Sequence, residues 1–134
     1  MLRPNLFRWQ YELYPENHTT RRNLVIHLVT VPMFHMGFAT MMVGFGTMSG
    51  FTLLSAWVVL ATCVVLQGMG HRREPVAPVP FDGFIDGATR LIAEQFITFP
   101  RFLMMGGFEA AWAASKQRES GASSDPKGAD SAPK

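Results

Sequence analysis

Residues 23–71 form an unbroken run of 49 positions without Asp, Glu, Lys or Arg. A domain bathed in water must expose part of any such run, so its length predicts an apolar environment. A helix rises about 1.5 Å per residue, and roughly 20 residues cross a hydrocarbon layer of about 30 Å. The run therefore holds two spans, over 24–44 and 51–70. Between them, residues 44–50 read Gly-Phe-Gly-Thr-Met-Ser-Gly, a concentration of helix breakers that predicts a tight hairpin turn. Thr19 or Thr20 is placed to cap the first span. Pro32 has no N–H to give the carbonyl of Leu28, which loosens the helix one turn beyond His27.

Outside the hairpin the pattern changes. Glu74–Pro80 carries three prolines and predicts an extended connector. From there Asp82, Asp86, Arg90 and Glu94 recur every four residues, opposite Phe84, Ile85, Ala88, Leu91, Ile92 and Phe96, which predicts a surface-lying helix over about 83–98. Pro100 should break or restart it, leaving a second apolar helix over about 101–115. Glu94, Arg101 and Glu109 make a full span by this pair costly, so the two are expected to be interfacial or re-entrant. At the other end, Phe7, Trp9, Tyr11 and Tyr14 alternate with Arg3, Arg8, Glu12 and Glu16. That mixture suits either the headgroup layer or a short helix docked on its own protein. Residues 116–134 contain no Leu, Ile, Val, Phe, Met or aromatic residue and read as a disordered tail. The expectation is an all-α, helical integral membrane protein: one membrane-embedded domain over 1–115, a two-span hairpin flanked by N-terminal and C-terminal interfacial or re-entrant helices.

Composition narrows the function classes. The chain has 134 residues, 48% apolar and 16% charged, against a globular norm of about 25% charged. A soluble α/β enzyme is excluded on that ground. A net charge of +2, without a Lys/Arg cluster interleaved with aromatics, gives no footprint for nucleic acid. A lone cysteine, Cys63, excludes a disulfide framework and a thiolate metal site within one chain. Arg3, Arg8, Arg21 and Arg22 precede the first span, Arg72 and Arg73 follow the second, and the hairpin loop has no basic residue. The positive-inside rule then puts both termini in the cytoplasm. The pattern leaves a homo-oligomer open.

The chemistry is confined to four histidines. His27 lies about one turn inside the first span, His71 ends the second, and His18 sits just upstream on the same side. A hairpin brings these three imidazoles to one depth, which points to a metal site; nitrogen donors suit zinc, copper and iron alike. Glu74 could add a carboxylate to complete a two-His-one-carboxylate set, or pair with Arg72 or Arg73 in water. Asn23 and His27 are four apart, as are Gln67 and His71, so each amide is placed to support a histidine from outside the ligand set. His35 lies eight residues beyond His27, about 12 Å deeper, and reads as a neutral histidine bonded to a neighbouring helix. No phosphate-cradling glycine loop and no GxSxG elbow is present.

The order His18-x4-Asn23-x3-His27-x4-Pro32, a two-span hairpin, then Gln67-x2-Gly70-His71-x2-Glu74 resembles the 2-hydroxy fatty acid dioxygenase family. The later runs Pro78-Val-Pro-Phe81 and Glu94-Gln-Phe-Ile-Thr-Phe-Pro-Arg-Phe102 look like its bacterial branch. The resemblance covers about residues 10–112. It implies an iron(II)-dependent membrane enzyme, Fe(2+) being the cofactor, that shortens a 2-hydroxy fatty acid by one carbon with dioxygen. His18, His27 and His71 would then be ligands and catalytic residues, and a bacterial inner membrane the site of action. Arg72, Arg73 or Arg101 would neutralise the substrate carboxylate. The alternative is a non-catalytic multi-pass protein, a haem-binding or scaffold and assembly subunit.

Overall fold

The computed structural model describes residues 4–123, which are all-helical, with no strand among them. Helix α1 (Leu6–Leu13) ends in a 3-10 turn over Tyr14–Asn17. The hairpin follows as α2 (Arg21–Gly46) and α3 (Gly50–His71), then α4 (Phe84–Ala93), α5 (Phe99–Met104) and α6 (Gly107–Ser123). At about 1.5 Å per residue, α2 and α3 are roughly 39 and 33 Å long, and both are apolar enough to cross a membrane. Thr20 caps α2 through its side chain and Ser49 caps α3.

The hairpin turn is tighter than its glycines predict. Helix α2 runs through Gly44 to Gly46, leaving Thr47–Ser49 as the link, with Met48 in the left-handed region at φ 52°. Gly44 serves packing instead: a Cβ there would lie 2.9 Å from the Leu53 side chain. One face and two turns earlier, a Cβ on Gly37 would come within 3.1 Å of Val59. Small residues at this spacing let the two backbones approach closely.

The connector from Glu74 leads into α4, whose orientation reverses the expected one. Asp86 and Arg90 are buried, whereas Phe84 is 89% and Ile85 62% exposed. The charged stripe faces the protein and the apolar face points outward. Inside, Arg90 contacts Asp86 at 3.4 Å and donates to the carbonyls of Pro80 and Val79, so it ties the connector to the helix.

Pro100 does not break the chain here. A π turn over Glu94–Thr98 joins α4 directly to α5, and the break comes later, at Gly106 with φ 77°. Within the π turn the N–H of Phe99 goes to the carbonyl of Glu94, and Pro100 has no N–H. The carbonyl of Gln95 is thereby left without a backbone donor. His35 of α2 supplies one, its Nε2 lying 2.9 Å from that oxygen. The deep histidine thus repairs a hydrogen bond that the proline removes. One inserted residue also turns consecutive side chains inward: Glu94 lines the site while Gln95, Thr98 and Phe99 are buried.

Helix α6 continues to Ser123, past Lys116, where a disordered tail is expected from composition. A helix already nucleated over apolar residues extends through polar ones without needing a packed face. The remainder of that tail, 124–134, lies outside the described residues.

Candidate metal centre

Four elements converge on one point. Pro15 helps set the 3-10 turn that delivers His18, and the Nδ1–H of His18 donates to the carbonyl of Tyr14 at 2.9 Å. His27 emerges from the second turn of α2, its Nδ1–H donating to the carbonyl of Asn23 at 3.0 Å. His71 is the last residue of α3 and Glu94 the first of the π turn. The Nε2 atoms of His18 and His27 are 3.4 Å apart. From Glu94 Oε1 the distances are 3.1 Å to His27, 3.6 Å to His18 and 3.9 Å to His71. All four donor atoms lie within 4.8 Å of one another.

Proton accounting decides whether this set fits a cation. A carbonyl oxygen can only accept, so the Nδ1 atoms of His18 and His27 carry the protons. Their Nε2 atoms then present lone pairs toward each other and toward a carboxylate. Burial pushes the pKa of His18 well below its ordinary value, and a charge on His27 would push the same way, so His18 is neutral. Burial would raise the Glu94 carboxyl, but hydrogen bonding to His27 and His71 outweighs it and lowers the group well below the usual carboxylate range. That lowering requires a positive charge, a proton or a metal ion, on the Nε2 side of the imidazoles. With Nδ1–H spent on a carbonyl, each Nε2 meets the ionised carboxylate only through an added positive charge, and either a proton or a metal ion supplies it. Around a metal with bonds of about 2.1 Å, neighbouring donors sit roughly 3.0–3.4 Å apart, close to the shorter spacings here. The residues fit a metal ion.

The aromatic surroundings fix the rings. Tyr14 stacks on His18 with centroids 3.7 Å apart, Phe102 meets Tyr14 edge-on at 5.0 Å, and Phe99 tilts against His27 at 6.0 Å.

The structure brings together His18, His27 and His71 and leaves His35 outside. It also replaces the carboxylate. Glu74 stands apart from the cluster, its two oxygens accepting from the N–H and hydroxyl groups of both Thr19 and Thr20. It braces the entrance to α2. The carboxylate at the cluster is Glu94, hidden in the sequence within a stripe that reads as solvent-facing. Its available signal is the cost of a charge among apolar neighbours, which argues for an inward position.

The amides differ from expectation as well. His27 is oriented by the backbone of Asn23, whose side-chain nitrogen donates to the carbonyl of Asn17. Gln67 pairs reciprocally with Gln95 and donates to Thr30, so it braces α3 against α2 and the π turn rather than His71. Nδ1 of His71 has no partner.

A pocket of about 100 Å³ opens onto the cluster, lined by Tyr14, His18, His71 and Glu94 together with Arg90. Arg72, Arg73 and Arg101 do not line it. The first two are exposed beyond α3, and Arg101 packs over the Tyr11 ring at 4.2 Å. No family model, curated protein or solved structure matches this chain.

Proposed function

We propose that this chain is an integral membrane protein whose His18, His27, His71 and Glu94 hold iron(II) to oxidise a 2-hydroxy fatty acid, shortening it by one carbon. The observation that carries the reading is the meeting of three imidazoles and one ionised carboxylate, with two lone pairs already aimed at a common point. Such a donor set suits iron, zinc and manganese; iron and the substrate class come from the resemblance to the 2-hydroxy fatty acid dioxygenases.

Membrane immersion is supported by the burial pattern. Only 33% and 22% of the most apolar windows of α2 and α3 are buried. A core helix of a water-soluble protein would be mostly buried, and α4 also turns its apolar face outward. With α2 and α3 spanning, the cluster lies at the end of the hairpin where the arginines gather, the cytoplasmic side by the positive-inside rule.

Bound iron would supply one-electron chemistry with dioxygen at the open positions of the site. The protein's part is to hold and exclude. The carbonyls of Tyr14 and Asn23 fix the protons of His18 and His27 on Nδ1, leaving Nε2 free to bind. Glu94 contributes the charge that offsets the cation. Tyr14, Phe99 and Phe102 keep water from the buried side of the rings. The headgroup boundary lets an acyl tail stay in lipid while its polar end meets the site.

The haem alternative gains nothing from this geometry. The His18 and His27 rings meet edge-to-face with centroids 4.5 Å apart, not opposed along one axis as a pair of axial ligands must be.

The test is metal content and product analysis on detergent-solubilised protein, under air and under nitrogen. Alanine at His18, His27, His71 or Glu94 should remove the metal and abolish conversion to the acid one carbon shorter. Alanine at His35 should keep the metal. Product formed equally well without oxygen would sink the dioxygenase reading, and a Soret band would favour haem.

A further inference from the structure

Among the described residues, seven buried side-chain polar atoms lack a hydrogen-bond partner, and four belong to residues lining the pocket beside the metal cluster. One is Nδ1 of the cluster's own His71, and three lie outside the metal set. They are the Tyr14 hydroxyl, the Arg90 Nε and the Gln10 Oε1. Tyr14 is 3% exposed and Arg90 8%. A buried donor or acceptor left unpaired costs about 1–3 kcal/mol, so such atoms rarely gather without a reason.

Each side chain is held firmly by its other contacts. Arg90 spends Nη1 on Pro80 and Asp86 and Nη2 on Val79, and its guanidinium stacks near Trp9 and Phe81 at 5.1 and 4.6 Å. Its Nε is the nitrogen left over. Gln10 spends Nε2 on the carbonyl of Arg90, which leaves its oxygen unpaired. The Tyr14 ring lies flat on His18, one of the cluster residues. Two donors and one acceptor therefore border a space that ends at the metal ligands, while Trp9, Leu13, Val79, Phe81 and Leu91 complete it with apolar surface.

We propose that this pocket binds the head of an amphiphilic carboxylic acid, with Arg90 Nε and the Tyr14 hydroxyl donating to the carboxylate and Gln10 Oε1 accepting from a neighbouring hydroxyl. The assignment rests on the reading of the site as a lipid-acid oxidase for its substrate class, and it moves carboxylate recognition from Arg72, Arg73 and Arg101 to Arg90. A carboxylate fits better than a phosphate: the space is small, and Arg90 offers it a single unpartnered nitrogen, Nε, where a phosphate would call for more donors.

Trp9 lies against Arg90 and can report occupancy. In full-length protein carrying Trp57→Phe and Trp112→Phe, in detergent micelles, Trp9 emission is titrated with 2-hydroxyhexadecanoate, hexadecane-1,2-diol and hexadecyl phosphate. The 2-hydroxy acid should bind saturably. Tyr14→Phe keeps the ring and removes a hydroxyl that faces the Glu94 carboxylate without a well-formed hydrogen bond, so it should weaken binding of the acid about tenfold with little change in melting temperature. Arg90→Gln should weaken the acid at least as much and barely alter the diol. Arg90→Lys should not rescue, because lysine lacks the Nε position. Arg73→Gln, outside the pocket, should bind as the parent does.

Unaltered binding in Tyr14→Phe would overturn the proposal even if Arg90→Gln failed to fold. So would equal losses for acid and diol in Arg90→Gln, or tighter binding of the alkyl phosphate. Repeating the titration after chelator treatment separates the two readings. Acid binding with these losses in a protein that never holds metal would leave the pocket standing and remove the iron site; metal retained with binding unaffected by Tyr14→Phe would do the reverse.

Discussion

Glu74 and Glu94 show how two carboxylates in one small protein take opposite duties. Burial would raise the pKa of Glu74, but four hydrogen bonds from Thr19 and Thr20 prevail and lower it. A carboxyl with a depressed folded value contributes stability that is present at neutral pH and fades as pH falls through that value. Glu74→Gln should therefore keep the metal but lose about 2 kcal/mol at pH 7. The gap in melting temperature between it and the parent should close on acidification; a gap independent of pH would show that the charge contributes nothing. Glu94→Gln should do the converse, losing metal with little effect on the start of α2. His35 belongs with the structural group. Its alanine variant leaves the Gln95 carbonyl unpaired and should cost about 1–3 kcal/mol, read by thermal unfolding in detergent with metal content unchanged.

Among the helices, glycine and orientation carry the argument. Gly44 and Gly46 are two residues apart in α2, yet only Gly44 faces α3 closely; nothing lies within 4 Å of a Cβ on Gly46. Gly44→Ala should lower stability by about 1–3 kcal/mol through overpacking against Leu53, and Gly46→Ala should be neutral or slightly stabilising. Equal effects in a thermal-stability comparison would refute close approach as the role of Gly44. The inverted α4 can be tested in the same spirit. Ile85→Lys and Ile92→Lys introduce charge on its outward face. Were that face in water the changes would be near-neutral, whereas against lipid they should sharply reduce the folded protein recovered from membranes.

For the molecule as a whole, the proposed topology makes one demand. With both long helices spanning, a reporter fused after Lys134 and another inserted at Ser49 must give opposite compartment signals, the former cytoplasmic. Identical signals would leave a hairpin lying on, rather than through, the bilayer. The site draws on α2, α3, the π turn and the segment before α2, so removing any one dismantles it. Small size is no obstacle to this: the hairpin supplies a rigid frame, and the flanking segments need only close over one end.

What could be read in the chain follows from position along a helix. The uncharged run predicts two spans, and Thr20, an N-cap by type and place, starts the first. Depth advances about 1.5 Å per residue, so the shared level of His27 and His71, and the exclusion of His35, follow from counting. His18, nine residues before His27, reaches that level because the chain leaves the helix before Arg21. Azimuth does not follow from counting. Which way the Asp82–Glu94 stripe points depends on what surrounds it, and a helix period that means a wet face in water means a buried one when the surroundings are apolar. The same applies to the π turn. Its extra residue is stabilised by a contact from His35, 60 positions away, that no local pattern announces. The choice of Glu94 over Glu74 lies there too: the sequence offers only Glu74, three residues after His71, and it is the packing of α4 against the hairpin that turns Glu94 toward the imidazoles and leaves Glu74 to the threonines.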